Sequence, residues 1–90
     1  MKKKYETTFI IKVDLLGKTD EISKKYDDLI INHGGFVTST IVTKNEFIKI
    51  EICFEFDEFE NSNSYQCIAE LEKEYHLDDD VLRFIVIRTE

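Results

Sequence analysis

The sequence contains no proline, no tryptophan, three glycines and two cysteines in 90 residues. Two cysteines cannot form the disulfide framework of a small secreted domain, and Cys53 and Cys67 lack the spacing of metal ligands. We expect both to be semi-buried apolar residues in a reducing compartment. There is also no glycine-rich loop that could cradle a phosphate, and no serine lies in a nucleophile-elbow pattern. These absences argue against an enzyme.

Long apolar runs are also absent. The longest extend over about four residues, far below the ~20 that a membrane-spanning helix needs. No apolar segment follows the basic residues near the start, so a secretory signal is not expected. Ninety residues suit one domain rather than a two-domain enzyme. The sequence therefore predicts a single intracellular or organellar domain over residues 1–90, with no membrane contact.

The charge is acidic and unevenly distributed. Twelve basic and nineteen acidic residues give a net charge of −7, which argues against a simple binder of polyanions. Residues 1–49 carry nine lysines and seven acids, whereas residues 50–90 carry three cations and twelve acids. This asymmetry indicates a limited basic site and a larger acidic surface for a basic partner. A merely solvated acidic face fits the charges equally well.

Hydrophobic periodicity predicts four strands and two helices. Apolar residues at spacings of three and four mark the helices, which are expected at residues 19–33 and 65–76. Gly34 and Gly35 end the first helix, because glycine readily adopts the left-handed conformation that follows a helix. The strands are expected at residues 5–13, 36–43, 47–56 and 81–88.

The third strand has the clearest alternation in the chain. Its isoleucines and even-numbered phenylalanines point to one face of the sheet, and the intervening side chains point to the other. The second group comprises Phe47, Lys49, Glu51, Cys53 and Glu55. Residues 81–88 are almost continuously apolar, so we expect the last strand to be buried largely on both faces.

The element order is therefore β-α-β-β-α-β. Two interlocked β-α-β units with right-handed crossovers give a four-stranded antiparallel sheet, with strand order 4-1-3-2 and both helices on one face. This arrangement is the ferredoxin-like sandwich of the α+β class. Because the fold supports many unrelated functions, it does not identify one.

The residues that could carry catalysis or bind a metal have simpler interpretations. His33 and His76 each lie near the predicted C-terminus of a helix, where the helix dipole favours a cation. Residues 78–80 are three consecutive aspartates in a helix-to-strand loop, and such a run is usually solvated. We therefore expect no catalytic residue, no metal or other cofactor, and no small-molecule substrate.

RNA-recognition domains with the same element order stack bases on exposed aromatic residues of the central strands. In this chain the corresponding face of the third strand carries Glu51 and Glu55, and the expected glycine–aromatic run is absent. Base stacking on the sheet is therefore disfavoured.

A smaller basic site is predicted near the N-terminus. Lys2, Lys3 and Lys4 precede the first strand, and antiparallel pairing with the last strand brings Arg88 close, with Arg83 further along. Five cations near one end of the sheet could hold a few phosphates, in an RNA contact that positions the protein without reading sequence. The alternative is a solvated basic terminus.

Three segments of the chain carry a family resemblance. Residues 3–6, Lys-Lys-Tyr-Glu, followed by Phe9-Ile10-Ile11, resemble the opening strand of the bacterial-type ribosomal protein S-six family. The run 30–35, Ile-Ile-Asn-His-Gly-Gly, is similar to the end of that family's first helix. The C-terminal segments 68–75 and 80–88 are similar, nearly position by position, to the second helix and the closing strand of the same family.

The resemblance implies a ferredoxin-like, non-enzymatic component of the small ribosomal subunit. Members of the family pair with the strongly basic ribosomal protein S-eighteen and lie against the central domain of the small-subunit rRNA. The residues assigned to RNA binding are Lys2, Lys3, Lys4, Tyr5, Arg83 and Arg88. The residues assigned to partner binding, on an acidic and apolar sheet surface, are Phe47, Lys49, Glu51 and Glu55.

One departure from the family concerns the hairpin between the second and third strands. The family carries a long Gly-x-Arg-x-Leu-Ala-Tyr-Pro-Ile stretch there, for which residues 43–47 leave no room. A shortened chain with twelve isoleucines and ten lysines looks more like a mitochondrial ribosomal protein, which favours the mitochondrial matrix over the bacterial cytoplasm. The alternative function is a ferredoxin-like regulatory or ligand-binding homodimer with no RNA contact.

Overall fold

The computed structural model describes residues 2–57 and 63–89. The strands and α-helices follow one another as β1 (Lys2–Ile11), α1 (Thr19–Asn32), β2 (Phe36–Lys44), β3 (Ile48–Asp57), α2 (Ser64–Leu77) and β4 (Val81–Arg88). A 3-10 helix, Val13–Lys18, joins β1 to α1. The predicted elements are confirmed, although β1 begins and ends earlier than expected. The three N-terminal lysines therefore lie within this strand rather than before it.

All neighbouring strands are antiparallel, and the strand order is β2-β3-β1-β4. The ring of Phe9 on β1 contacts both Tyr26 of α1 and Tyr75 of α2, so both helices lie on one side of the sheet. We call this side the helix face and the other side the open face. The fold is the ferredoxin-like α+β sandwich that the sequence predicted.

The core lies between the helix face and the two helices. Alternate residues of β1 and β3 point into it, since successive side chains of a strand point to opposite faces. The rings of Phe9, Tyr26 and Tyr75 pack with centroids 4.6 to 5.0 Å apart. Such pairs contribute about 0.5–1.5 kcal/mol each beyond the area they bury. The buried core residues are Tyr5, Phe9, Ile11, Tyr26, Ile30, Ile48, Ile50, Ile52, Phe54, Phe56, Cys67, Leu71 and Tyr75.

Two tyrosine hydroxyls connect the helices to the rest of the fold. The Tyr75 hydroxyl is hydrogen-bonded to the Thr7 hydroxyl on β1 at 2.8 Å. The Tyr26 hydroxyl donates to the carboxylate of Asp78, in the loop after α2, at 2.7 Å. Burial acts to raise the pKa of Asp78, but hydrogen bonds from Tyr26 and the Asp80 amide outweigh it, so this pKa is lowered. Asp78 is therefore a charged anchor between α1 and the loop.

The connection from α1 to β2 requires its two glycines. Gly34 has a φ of +88°, in the left-handed region, and its amide donates to the Ile31 carbonyl at 2.9 Å. At Gly35 an added Cβ would lie 2.7 Å from Ile30 Cγ2 and 3.0 Å from Phe56 Cζ. The predicted role of the two glycines in ending the helix is confirmed.

The prediction that β4 is buried on both faces is wrong. Its open-face residues Leu82, Ile85 and Ile87 are 47, 55 and 43% exposed. The helices cover only one side of the sheet, and β4 is an edge strand, so nothing in the described residues covers its other side. The continuous apolar run of β4 therefore gives an exposed apolar strip rather than a second buried layer.

Candidate RNA and partner interface

Three lysines and one arginine lie at one end of the sheet, on both of its faces. Because side chains alternate along β1, Lys2 and Lys4 lie on the open face, whereas Lys3 lies on the helix face beside the buried Tyr5. The register of β1 with β4 places Arg88 opposite Tyr5, hence on the helix face too. We call Lys2, Lys3, Lys4 and Arg88 the cationic end.

Two of these lysines lie over aromatic rings. On the open face, Lys2 Nζ is 4.6 Å from the centroid of the Phe36 ring and 3.7 Å from Glu55 Oε1. On the helix face, Lys3 Nζ is 5.7 Å from the centroid of the Tyr65 ring. Tyr65 is the second residue of α2 and is 79% exposed. Cation–π contacts at exposed sites contribute roughly 0.5–1 kcal/mol, enough to orient a lysine but not to neutralise it.

Two of the residues assigned to RNA binding do not join the cationic end. Tyr5 is 5% exposed and its ring stacks on Phe54 at 5.5 Å, so it belongs to the core. Arg83 pairs with Ile10 and lies five positions from Arg88 along β4. At about 3.4 Å per residue, the two arginines are about 17 Å apart. The expected cluster of five cations therefore does not form, because Arg83 lies at the opposite end of the sheet.

The residues assigned to partner binding do share the open face. Phe47 lies in the turn between β2 and β3 and is 54% exposed. Lys49 Nζ lies 3.3 Å from Glu51 Oε1, and Glu55 is paired with Lys2. The two carboxylates are therefore already neutralised by lysines of the same face. The open face also carries exposed apolar side chains, at Phe36, Ile41, Phe47, Leu82, Ile85 and Ile87.

Most of the acids of the C-terminal half that the structure describes lie away from the open face of the sheet. Apart from Glu51, Glu55 and Asp57 of β3, the acids of the C-terminal half that the structure describes lie on α2 and the loop that follows it, at Glu70, Glu72, Glu74, Asp78, Asp79 and Asp80. Lys25 of α1 pairs with two of them, Asp78 at 3.3 Å and Glu74 at 3.7 Å. The open face therefore carries only part of the acidic surface, at Glu51, Glu55 and Asp57, beside its exposed apolar side chains.

Sequence reasoning also missed a groove beside Arg83. Ile10, Phe47, Leu82 and Arg83 line an open-face groove of about 440 Å³ near the β2–β3 turn. Within residues 2–57 and 63–89, Arg83 forms no ion pair. The groove depends on the register of β1 with β4 and on the turn conformation, neither of which periodicity specifies. The sequence contains one indication of this groove, because Phe47 is an aromatic residue beside a very short polar turn.

The remaining candidate residues have structural contacts. His33 Nδ1 lies 2.8 Å from the Leu29 carbonyl, and the His76 ring packs edge-on against Phe84 at 4.9 Å. Burial raises the pKa of the Cys67 thiol to about 12, which disfavours a reactive thiolate. In the described part of the chain, no group of three or more histidines, cysteines or acids could hold a metal ion. Nor is any described helix long and apolar enough to cross a membrane.

The fold and the site together define a ferredoxin-like domain with a cationic sheet end and an apolar open face. No protein-family model matches the chain. The chain is 28% identical over 99 residues to small ribosomal subunit protein bS6 of Gloeobacter violaceus, an alignment that covers all of this chain and 99% of that protein. This full-length similarity supports a relationship to the S-six family and agrees with the resemblance read from the sequence.

Solved structures match the fold. The C-terminal domain of the MgtC protein from Mycobacterium tuberculosis has a TM-score of 0.59 and 11% identity, covering 98% of this chain and 88% of that one. A REP-associated tyrosine transposase, solved bound to a REP hairpin, has a TM-score of 0.56 and 8% identity over 98% of this chain. The chain spans 56% of the transposase. At such identities these likenesses concern the fold alone.

Proposed function

We propose that this protein is a structural component of the small ribosomal subunit, which binds the central domain of the small-subunit rRNA together with a basic protein of the S-eighteen type. The observation that carries the proposal is the similarity to a bS6 protein over the full length of the chain. The cationic end and the exposed apolar open face are the two surfaces that such a role requires. Neither surface has the groups of an active site, so we propose a non-enzymatic role.

The RNA contact in this proposal is the cationic end. Lys2 and Lys4 on the open face and Lys3 and Arg88 on the helix face present charge around the end of the sheet, which suits a phosphate backbone better than a single base. Tyr5 supports this end from within the core. Arg83 lies too far away to contact the same phosphates, so its assigned RNA contact is a separate one.

The partner contact in this proposal is the open face, including Phe47, Lys49, Glu51 and Glu55. Half-exposed ion pairs contribute only about 0–1 kcal/mol, so the exposed apolar side chains must carry most of the affinity. The acids of α2 lie on the other side of the molecule. They favour a basic partner by long-range attraction, which speeds its association without requiring contact.

The compartment in this proposal is the mitochondrial matrix rather than the bacterial cytoplasm. It is supported by the composition, which is rich in isoleucine and lysine, and by the short β2–β3 turn. The aligned region with the bacterial relative spans 99 residues against 90 in this chain, so the relative carries residues that this chain lacks.

Sedimentation of native lysate through a sucrose gradient tests the proposal. We expect the chain to sediment with the small subunit at low salt, and phosphate contacts predict partial release at high salt. The double variant Lys2→Glu, Lys4→Glu should release at lower salt than wild type. Lys73→Glu, an exposed reversal on α2, is the matched control and should behave as wild type. A chain that remains at the top of the gradient in both salts would contradict the ribosomal role and favour the homodimer.

A further inference from the structure

The groove beside Arg83 is shaped by an irregularity in β4. Arg83 pairs with Ile10, but the register then shifts, so that the next pair joins Val81 to Ile11 and leaves Leu82 without a counterpart on β1. In a regular strand, successive side chains point to opposite faces of the sheet. Here the consecutive residues Leu82 and Arg83 both line the groove. Bulges often re-aim side chains in this way beside functional sites, and this one brings a cation and a leucine to the same surface.

Phe47 completes the groove from the turn between β2 and β3. Its carbonyl accepts a hydrogen bond from the Asn45 amide at 3.0 Å, which holds the turn in place, and its ring is exposed. Phe47 and Ile10 also line a second hollow of about 390 Å³, which extends to Thr43 and Lys49. The two hollows therefore share an apolar wall, and they are large enough to accept apolar side chains of a bound segment.

Arg83 supplies a positive charge that no acid in the described part of the chain compensates. Asp78 and Asp79 border a hollow at the edge of β4 together with Arg83, but neither forms an ion pair with it. The other cation of the groove region, Lys49, lies 3.3 Å from Glu51 Oε1. The groove therefore combines apolar walls with one uncompensated guanidinium.

This combination favours a single carboxylate over an RNA strand. A guanidinium binds a carboxylate through two parallel hydrogen bonds, and one cation compensates one such charge. An RNA strand brings a phosphate with every nucleotide, whereas the second hollow is bordered by the carboxylate of Glu46. The net charge of −7 also opposes a polyanion at a site with one free cation.

The spacing across the sheet fits an extended peptide. Ile10 pairs with Arg83 on one side and with Lys49 on the other, so the three residues form one row across β4, β1 and β3. With strands about 4.8 Å apart, the backbones at the two ends of this row are about 10 Å apart. In an extended segment, side chains two positions apart lie on the same side, about 7 Å from each other. A segment that crosses the strands can therefore place an acid at Arg83 and an apolar side chain against Ile10 and Phe47.

We propose that this groove binds an extended segment of a partner protein in which an acidic side chain lies two residues from an apolar one. Arg83 holds the carboxylate, and Ile10, Phe47 and Leu82 pack against the apolar side chain. In this proposal Arg83 contacts protein rather than RNA. The inference does not depend on the ribosomal role, because the groove belongs to the isolated chain and is tested without ribosomes.

A peptide titration followed by NMR tests the proposal. The probe is the acetylated and amidated peptide Gly-Leu-Ser-Leu-Ser-Glu-Gly, added to the isotope-labelled full chain. We expect saturable shifts of the backbone amides of the groove residues Ile10, Phe47, Leu82 and Arg83. The matched peptide with Gln in place of Glu should bind about tenfold more weakly, because it lacks the charge that pairs with the guanidinium.

Variants of the chain separate the charged contact from the apolar one. Arg83→Gln should weaken binding of the Glu peptide about tenfold and abolish the preference for Glu over Gln. Phe47→Ala should weaken both peptides about fivefold and keep that preference. Lys73→Gln on α2 and Ile41→Ala on the open face of β2 are the matched controls, and both should bind as wild type, since neither residue lines the groove.

Three results would overturn the proposal. The first is the absence of saturable shifts at millimolar peptide. The second is equal affinity of the wild-type chain for the Glu and Gln peptides, which would show that Arg83 does not hold the carboxylate. The third is a single-stranded oligouridine that shifts the groove amides when the peptide does not, which would return Arg83 to RNA binding. None of these results bears on whether the chain sediments with the small subunit.

Discussion

At the scale of single residues, the bond from Tyr26 to Asp78 contributes directly to stability. The hydroxyl of a fully buried tyrosine donates to a carboxylate whose charge Lys25 also compensates. Tyr26→Phe removes this donor and leaves Asp78 less well solvated. Because the acceptor is charged, we expect a loss of about 1.5–3 kcal/mol in the free energy of unfolding at neutral pH. Urea denaturation measures it, with Tyr65→Phe as the exposed control, which should change stability by less than about 0.5 kcal/mol.

The same bond predicts a pH dependence. The pKa of Asp78 is lowered in the folded state, below its unfolded value of ~3.9. The carboxylate therefore stabilises the fold above about pH 4, and that stabilisation is lost as the pH falls through the folded pKa. The stability difference between wild type and Tyr26→Phe should shrink below about pH 4. A difference that stays constant down to pH 2 would show that Asp78 is not the group that titrates.

At the scale of elements, the α1–β2 connection depends on the absence of a side chain at one position. Gly35→Ala would place a Cβ 2.7 Å from Ile30 Cγ2, inside the contact between α1 and the core. We expect a destabilisation of about 1–3 kcal/mol. Gly17→Ala is the matched control, since no atom lies within 4 Å of a Cβ there. Thermal unfolding of the two variants checks the prediction, and equal midpoints would contradict it.

Strand β3 and strand β4 show what the sequence can and cannot predict about an element. The strict alternation of β3 identified both its buried and its open-face residues, because a central strand with one covered face follows the pleat. The continuous apolar run of β4 suggested burial on both faces, but the helices cover one side only. Apolar content reports the tendency to be buried, whereas the coverage of a strand depends on its neighbours in the sheet.

At the scale of the whole molecule, the fold was predictable and the site was predictable only in part. Element order and right-handed crossovers lead to one sheet topology, and the structure has it. The site also depends on strand register, which decides the end and the face of each side chain. A strand of eight residues runs from one end of the sheet to the other. Residues near its two ends, such as Arg83 and Arg88, therefore belong to different surfaces of the molecule. Because Arg83 and Arg88 are only five positions apart in the sequence, their separation in the structure was not predicted.

The two arginines of β4 therefore make a matched pair for testing the RNA contact. Arg88 lies at the cationic end with Lys3, whereas Arg83 lies about 17 Å away beside the groove. We expect Arg88→Glu to weaken binding to a small-subunit rRNA fragment and to lower the slope of log affinity against log salt by about 1. Arg83→Glu, which reverses the same charge on the same strand, should alter that slope less. Salt titrations of both variants against wild type measure the difference. Equal changes in slope would mean that the RNA contacts both ends of the sheet, and that the cationic end is only half of the site.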